Sequence, residues 1–125
     1  MNTYCNNVSF SILFSSAPYG NNFSREGLYT SLILTSLDKF INLFFVGDGI
    51  FQLLKNQQPQ TIRIYNHTSS FKIFKMYKNI HFYICSQSLQ ERGNFSLSNF
   101  IVTPKLCTPS ILANKIKKCN FILKF

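Results

Sequence analysis

Five short runs rich in Phe, Ile, Leu, Val and Tyr recur along the chain, at residues 8–15, 40–46, 81–85, 100–103 and 121–125. Their apolar residues do not alternate cleanly with polar ones, which is the pattern of strands covered on both faces rather than one. Between them lie segments with helical spacing, so strand-like and helix-like runs alternate. That order favours an α/β architecture with a mostly parallel sheet wrapped on both sides. At 125 residues the chain is read as one domain, 1–125, with room for a real core. Neither a linker nor an internal repeat is visible.

The first helical segment is expected over residues 24–37, with Ser24 as a cap and Glu26 in the first turn. Leu28 and Leu32, together with the row Tyr29, Ile33 and Leu37, form a broad apolar stripe expected to pack on the sheet. Gly47-Asp48-Gly49 signals a tight turn after the second run. Residues 50–54 read either as a helical turn packing downward or as an exposed patch that meets a partner. Residues 55–60 read as loop, and 62–65 as a minor strand or an extended connection. Thr68 or Ser69 is placed to cap a helix running to Lys78, with Phe71, Phe74 and Tyr77 on one side and Lys72, Lys75 and Lys78 on the other. Residues 88–92 form a short helix stopped by Gly93. Thr108-Pro109 opens the last helix, since proline is tolerated at the first helical position. There Ile111, Leu112, Ile116 and Cys119 are expected inward, and Lys115, Lys117 and Lys118 near the negative helix end.

Several function classes lose ground on composition. Charged residues make up only 14% against 46% hydrophobic, which leaves little with which to coat a monomer and favours an oligomer. The net charge of +9 raises nucleic acid or acidic lipid as partners, but the basic residues are scattered rather than gathered in one tract. Four carboxylates, Glu26, Asp38, Asp48 and Glu91, are too sparse for a two-carboxylate hydrolase. Asp48 reads as a turn former and Glu91 with Arg92 as an ion pair. His67 and His81 stand apart, in a polar turn and at a strand start. Neither G-x-G-x-x-G nor G-x-x-x-x-G-K-[ST] occurs, although the loop from Ser16 to Asn22 could hold an anion on backbone N–H groups. The four cysteines, Cys5, Cys85, Cys107 and Cys119, lack the spacing of a zinc site. No Lys or Arg precedes Arg25, so the apolar run over 8–14 lacks the charged lead of a secretory signal, and it falls far short of the ~20 residues that span a bilayer. A cytoplasmic chain with reduced thiols, no metal and no cofactor is the expectation.

Cys85 is the candidate for chemistry. It closes the run 81–85 immediately before a polar, helix-like segment, which places a thiol at the carboxyl end of a strand, where open α/β sheets gather ligands. The first turn of a following helix would favour the thiolate through its unpaired N–H groups. A thiolate there can accept sulfur from a persulfide by attack on a sulfane sulfur, given exposure and an approach path. The alternative is a small buried hydrophobe at a strand end.

Three segments taken together resemble a known family. They are Ser16-Ala17-Pro18-Tyr19-Gly20 with Arg25-Glu26-Gly27; Phe45-Val46-Gly47-Asp48-Gly49-Ile50-Phe51-Gln52-Leu53-Leu54; and Cys85 with Ser88-Leu89 and Glu91-Arg92-Gly93. The ending Ile122-Leu123-Lys124-Phe125 fits as well, with lysine where arginine is expected. The chain resembles the DsrE/DsrF-like family, and within it the DsrF-type subunit of the bacterial sulfur relay that 2-thiolates the wobble uridine of certain tRNAs. The resemblance implies a three-layer α/β/α domain with a central, mostly parallel sheet of about five strands. It also implies a heterohexamer with B-type and D-type (TusB-like and TusD-like) siblings that hands sulfur to a TusE-like acceptor, serves tRNA indirectly and involves no membrane. In that family the persulfide is credited to the D-type subunit. Cys85 stands at the corresponding place here, while the C-type branch is the partner that builds the complex. Two further readings stay open: a sulfurtransferase carrying a persulfide on its own Cys85, and a DsrF-type subunit of sulfur oxidation. A small-anion or RNA-binding module is the third.

Overall fold

The computed structural model describes residues 8–17, 23–37, 39–53, 74, 78–93, 100 and 102–125, the side chain of Ser24 excepted. Strands β1 (Ser9–Phe14), β2 (Phe40–Phe45), β3 (Ile80–Cys85), β4 (Lys105–Cys107) and β5 (Phe121–Lys124) form one sheet in the order β4-β3-β2-β1-β5. Every pairing is parallel. The helices are α1 (Phe23–Ser36), α2 (Ser86–Arg92) and α3 (Pro109–Lys117), with a 3-10 helix at Gly47–Leu53 after β2. Because all five strands point the same way, the turns that leave them collect at one edge of the sheet.

The order of strands dictates which face each helix covers. Steps from β1 to β2 to β3 to β4 all move in one direction, and right-handed crossovers then put their helical segments on one face. The return from β4 to β5 runs the other way across the sheet, so α3 lands on the opposite face. Two clusters of buried side chains follow. Ile12, Phe14, Ile41, Leu43, Phe45, Ile80 and Ile84 meet Leu28 of α1, Ile50 and Leu53 of the 3-10 helix, Leu89 of α2, and Phe74, Phe100 and Val102. On the other face Phe44, Tyr83, Cys85 and Cys107 meet Leu112 of α3. The doubly buried strands anticipated from sequence are β2 and the carboxyl half of β3, where consecutive residues bury on alternate faces. Rings carry much of the larger core: Phe14 stacks on Phe45 at 5.0 Å between centroids, and Phe74 meets Phe82 edge-on at 6.0 Å.

The structure departs from the sequence reading at three elements. On α1, Leu28, Ser31 and Thr35 are buried and Leu32 is half-buried, whereas Tyr29, Ile33 and Leu37 stay exposed. The helix is rotated so that small polar side chains face the sheet. Ser31 satisfies its hydroxyl on the Gly27 carbonyl at 2.7 Å, and Gly27 lies so close to the sheet that a Cβ there would approach Phe14 Cε1 to 2.5 Å. Close approach, rather than total apolarity, selected the packing face.

The fourth strand lies after Pro104 rather than over 100–103: β4 is Lys105–Cys107. Phe100 and Val102 are still buried, but as plugs of the larger core. On α3, Leu112 is buried and Ile116 is half-buried, as is Cys119 just beyond it, but Ile111 faces outward at 48% exposure. Of the 50–54 stretch, the described residues 50–53 form the downward-packing turn, with Ile50 and Leu53 fully buried. The expectations for 55–60, 62–65, His67, Lys72, Lys75, Cys5 and the Ser16 to Asn22 loop beyond Ala17 fall outside the described residues.

Candidate functional site at the carboxyl edge of the sheet

Cys85 is the last residue of β3 and the residue from which α2 departs, with extended backbone (φ −74°, ψ 119°). Its place at the carboxyl end of a strand is therefore as the sequence indicated. Its side chain is 6% exposed, set among Phe44, Tyr83, Cys107 and Leu112, with Leu13, Val46 and Ile116 packed around them. The thiol thus lies in the wall of the edge, on the face that α3 covers.

The turns beside it are tied together. After β2 the Val46 N–H donates to the Phe14 carbonyl at 3.0 Å, and the Gly49 N–H donates to Val46 O at 2.8 Å. A side chain at Gly49 would run into the Phe14 carbonyl oxygen, so glycine is what lets this turn sit on the end of β1. Gly47 has φ +54°, the left-handed region that favours glycine. Its N–H donates to Ser88 Oγ at 2.9 Å, joining the turn to α2. Arg92, at the end of α2, pairs with Asp48 at 3.0 Å and also donates to the Ser88 carbonyl at 3.3 Å. Glu91 is a more distant partner of Arg92, at 3.6 Å. Asp48, read from sequence as a turn former, is also a clamp. The segment that leaves β2 and the helix that leaves β3 are thereby held as one rim beside Cys85.

Farther along the same edge, Ser15, Ser16, Phe23, Lys124 and Phe125 line an open cavity of about 230 Å³ where β1 and β5 end. Ser15 donates to the Phe125 carbonyl from both its N–H (2.9 Å) and its hydroxyl (3.3 Å). On α3, the Lys115 ammonium lies 5.0 Å from the centroid of the Tyr83 ring, a cation on the face that carries Cys85. His81 is exposed toward the opposite end of β3, four residues before Cys85. Lys78 is exposed, as are Lys117 and Lys118 at the end of α3. Among the described residues, no three His, Cys, Asp or Glu side chains gather as a metal would need. No described helix is long and apolar enough to cross a membrane.

Cys107 is the site residue that sequence reasoning passed over. It pairs in register with Cys85 across β3 and β4 and shares its cluster. A signal existed, since Cys107 also stands just ahead of a helix start, at Thr108-Pro109. Placing the strand before Pro104 concealed it.

A parallel five-stranded sheet with helices on both faces and a cysteine closing its third strand defines a small α/β domain whose chemistry-bearing residues sit at one edge. The chain belongs to the DsrE/DsrF-like family, whose sequence model matches residues 8–125. It is similar to Protein TusC of Buchnera aphidicola subsp. Baizongia pistaciae, with 39% identity over 90% of this chain and 95% of that one. Protein TusC of Buchnera aphidicola subsp. Acyrthosiphon pisum (strain Tuc7) is 41% identical over the same shares. Among solved structures, the ychN protein from E. coli superposes with a TM-score of 0.79, covering 94% of this chain and 99% of that chain at 21% identity, a likeness of fold.

Proposed function

We propose that the chain is a subunit of a sulfur-relay complex, assembled with TusB-like and TusD-like siblings and required for 2-thiolation of the wobble uridine in tRNA. Its main part is to scaffold persulfide transfer through the D-type subunit to a TusE-like acceptor. The observation that carries this reading is near-full-length similarity, at 39% and 41% identity, to proteins named TusC. Burial of Cys85 supports a scaffold over a carrier, because a thiolate that takes sulfur from another protein needs an open approach. The exposed Tyr29 and Ile33 on α1, Leu37 just after it, and Phe121 and Ile122 on β5 suit a subunit covered by siblings.

The second reading, a persulfide on Cys85 itself, draws support from its position at the carboxyl end of β3 next to a helix start. A deletion strain complemented with the wild-type chain or with Cys85→Ser separates the two. Under the scaffold reading, deletion abolishes 2-thiouridine in digested tRNA measured by mass spectrometry, and Cys85→Ser restores it together with co-purification of the siblings. Complemented cells that assemble the complex but lack 2-thiouridine would move the persulfide to Cys85. Unchanged thiolation in the deletion strain would remove the tRNA reading and leave the sulfur-oxidation branch of the family.

A further inference from the structure

Cys85 and Cys107 end two neighbouring parallel strands and stand opposite each other in the ladder. Directly paired strands lie about 4.8 Å apart, inside the roughly 4.4–6.8 Å between Cα atoms that a disulfide spans. Both side chains emerge on the same face, in contact with one cluster, and both are free thiols. In the middle of a sheet, flanking hydrogen bonds would resist the small movement needed to bring two sulfurs to bonding distance. Here the ladder stops at this pair: α2 begins at Ser86, Thr108 caps α3, and β4 is a three-residue edge strand.

The cover over the two sulfurs is light. Leu112 is the one buried residue described on α3, Ile116 packs half-buried against the same cluster, and Ile111 at the helix start is 48% exposed. A helix held by so few buried apolar contacts opens at lower free energy than the core strands beneath it. Cys119, by contrast, lies near the end of α3, where its sulfur accepts from Asn42 at 3.3 Å and is half-buried.

We propose that Cys85 and Cys107 are a cross-strand dithiol that closes to a disulfide by exchange with low-molecular-weight disulfides such as glutathione disulfide. The thiolate of one cysteine attacks a sulfur of the small disulfide, forming a mixed disulfide and releasing one small thiolate. The thiolate of the other cysteine then attacks the protein sulfur of that mixed disulfide, forming the Cys85 Sγ–Cys107 Sγ bond and expelling the second small thiolate. The two protein thiols give up two electrons and two protons, and the small disulfide leaves as two thiols. Closure takes the residue-85 sulfur out of any persulfide exchange and ties β3 to the edge strand. It stands independently of the sulfur-relay reading.

The test uses the full chain, purified with whatever siblings accompany it and equilibrated in glutathione buffers of rising oxidised fraction. After acid quenching, free thiols are capped with N-ethylmaleimide and the digest is mapped by mass spectrometry. The expected result is loss of capping at residues 85 and 107 in step, with a reducible peptide pair, two hydrogens lighter than its parts, joining them. Cys107→Ser should then leave Cys85 holding a glutathione adduct that no second thiol displaces. Full capping of Cys85 and Cys107 in buffers that glutathionylate Cys119 overturns the proposal, and so does a cross-link from Cys85 to any other cysteine. If the Cys107→Ser chain fails to fold, the wild-type map decides alone. The readout is a bond in the protein, so its absence leaves tRNA thiolation, measured separately, untouched.

Discussion

At the scale of single residues, the rim beside Cys85 depends on close approaches that few side chains permit. Gly49→Ala must push a methyl group against the Phe14 carbonyl oxygen, where backbone rather than a flexible side chain would have to yield. The expected cost is about 1–3 kcal/mol, read as a lowered urea midpoint at unchanged slope. Ser88 and Asp48 make a sharper comparison. Ser88 is buried and supplies the acceptor for the Gly47 N–H, so Ser88→Ala strands a part-buried donor and should cost about 1–3 kcal/mol. The Arg92–Asp48 pair is of similar length, at 3.0 Å, but its carboxylate is 59% exposed, so Asp48→Asn should cost under about 1 kcal/mol. Urea melts of the two variants in one buffer check the order, and a larger loss at Asp48 would make the ion pair the principal clamp. The sequence marked Gly47-Asp48-Gly49 as a turn from residue types alone. It could not name Ser88 as the partner of Gly47, because that hydrogen bond joins residues brought together only by the pairing of β2 with β3.

At the scale of elements, α1, α2 and α3 and the strands β1, β2, β3 and β5 were legible, while β4 and the rotation of the helices were not. Helical spacing revealed α1, yet its two apolar rows were read as one broad stripe against the sheet, and only the row of Leu28 and Leu32 turned inward. What settled the rotation was Gly27 against Phe14 and two small hydroxyl residues that let the helix lie close. Two substitutions on this helix test that outcome. Leu28→Ala should cost about 2–5 kcal/mol, whereas Ile33→Glu in the isolated chain should stay within about 0.5 kcal/mol of wild type. Thermal and urea unfolding of both variants checks this, and a large loss at Ile33 would put that residue on the packed side, as the broad stripe implied. Thr108 was a sound helix signal: its hydroxyl accepts from the Ile111 N–H at 3.4 Å, and Pro109 occupies the first helical position. The neighbouring strand was misplaced because residues 100–103 have the better strand composition. A three-residue edge strand is defined by its partner, and Tyr83, Ile84 and Cys85 recruit Lys105, Leu106 and Cys107.

At the scale of the whole molecule, the sheet joins the ends of the described chain: β5 pairs with β1, more than a hundred residues away in sequence, and shields the edge of a strand central to the core. Phe125 packs against Phe14 at 6.3 Å between ring centroids, and its N–H donates to Leu13 O at 2.8 Å. Removing residues 121–125 should therefore expose the backbone of β1 as a bare edge and send the chain into aggregates, measured as loss of soluble monodisperse protein. A truncated chain that stays soluble with an unchanged urea midpoint would show β5 to be dispensable. Alternation of strand and helix, the cysteine at a strand end and the glycine turn after β2 were all determined by the sequence itself, because periodicity and turn chemistry are written in contiguous residues. Only the tertiary structure decided the order β4-β3-β2-β1-β5, the rotation of α1 and the meeting of Cys85 with Cys107. Each depends on which edges and faces remain free once the other elements have packed, and that information is spread over the whole chain.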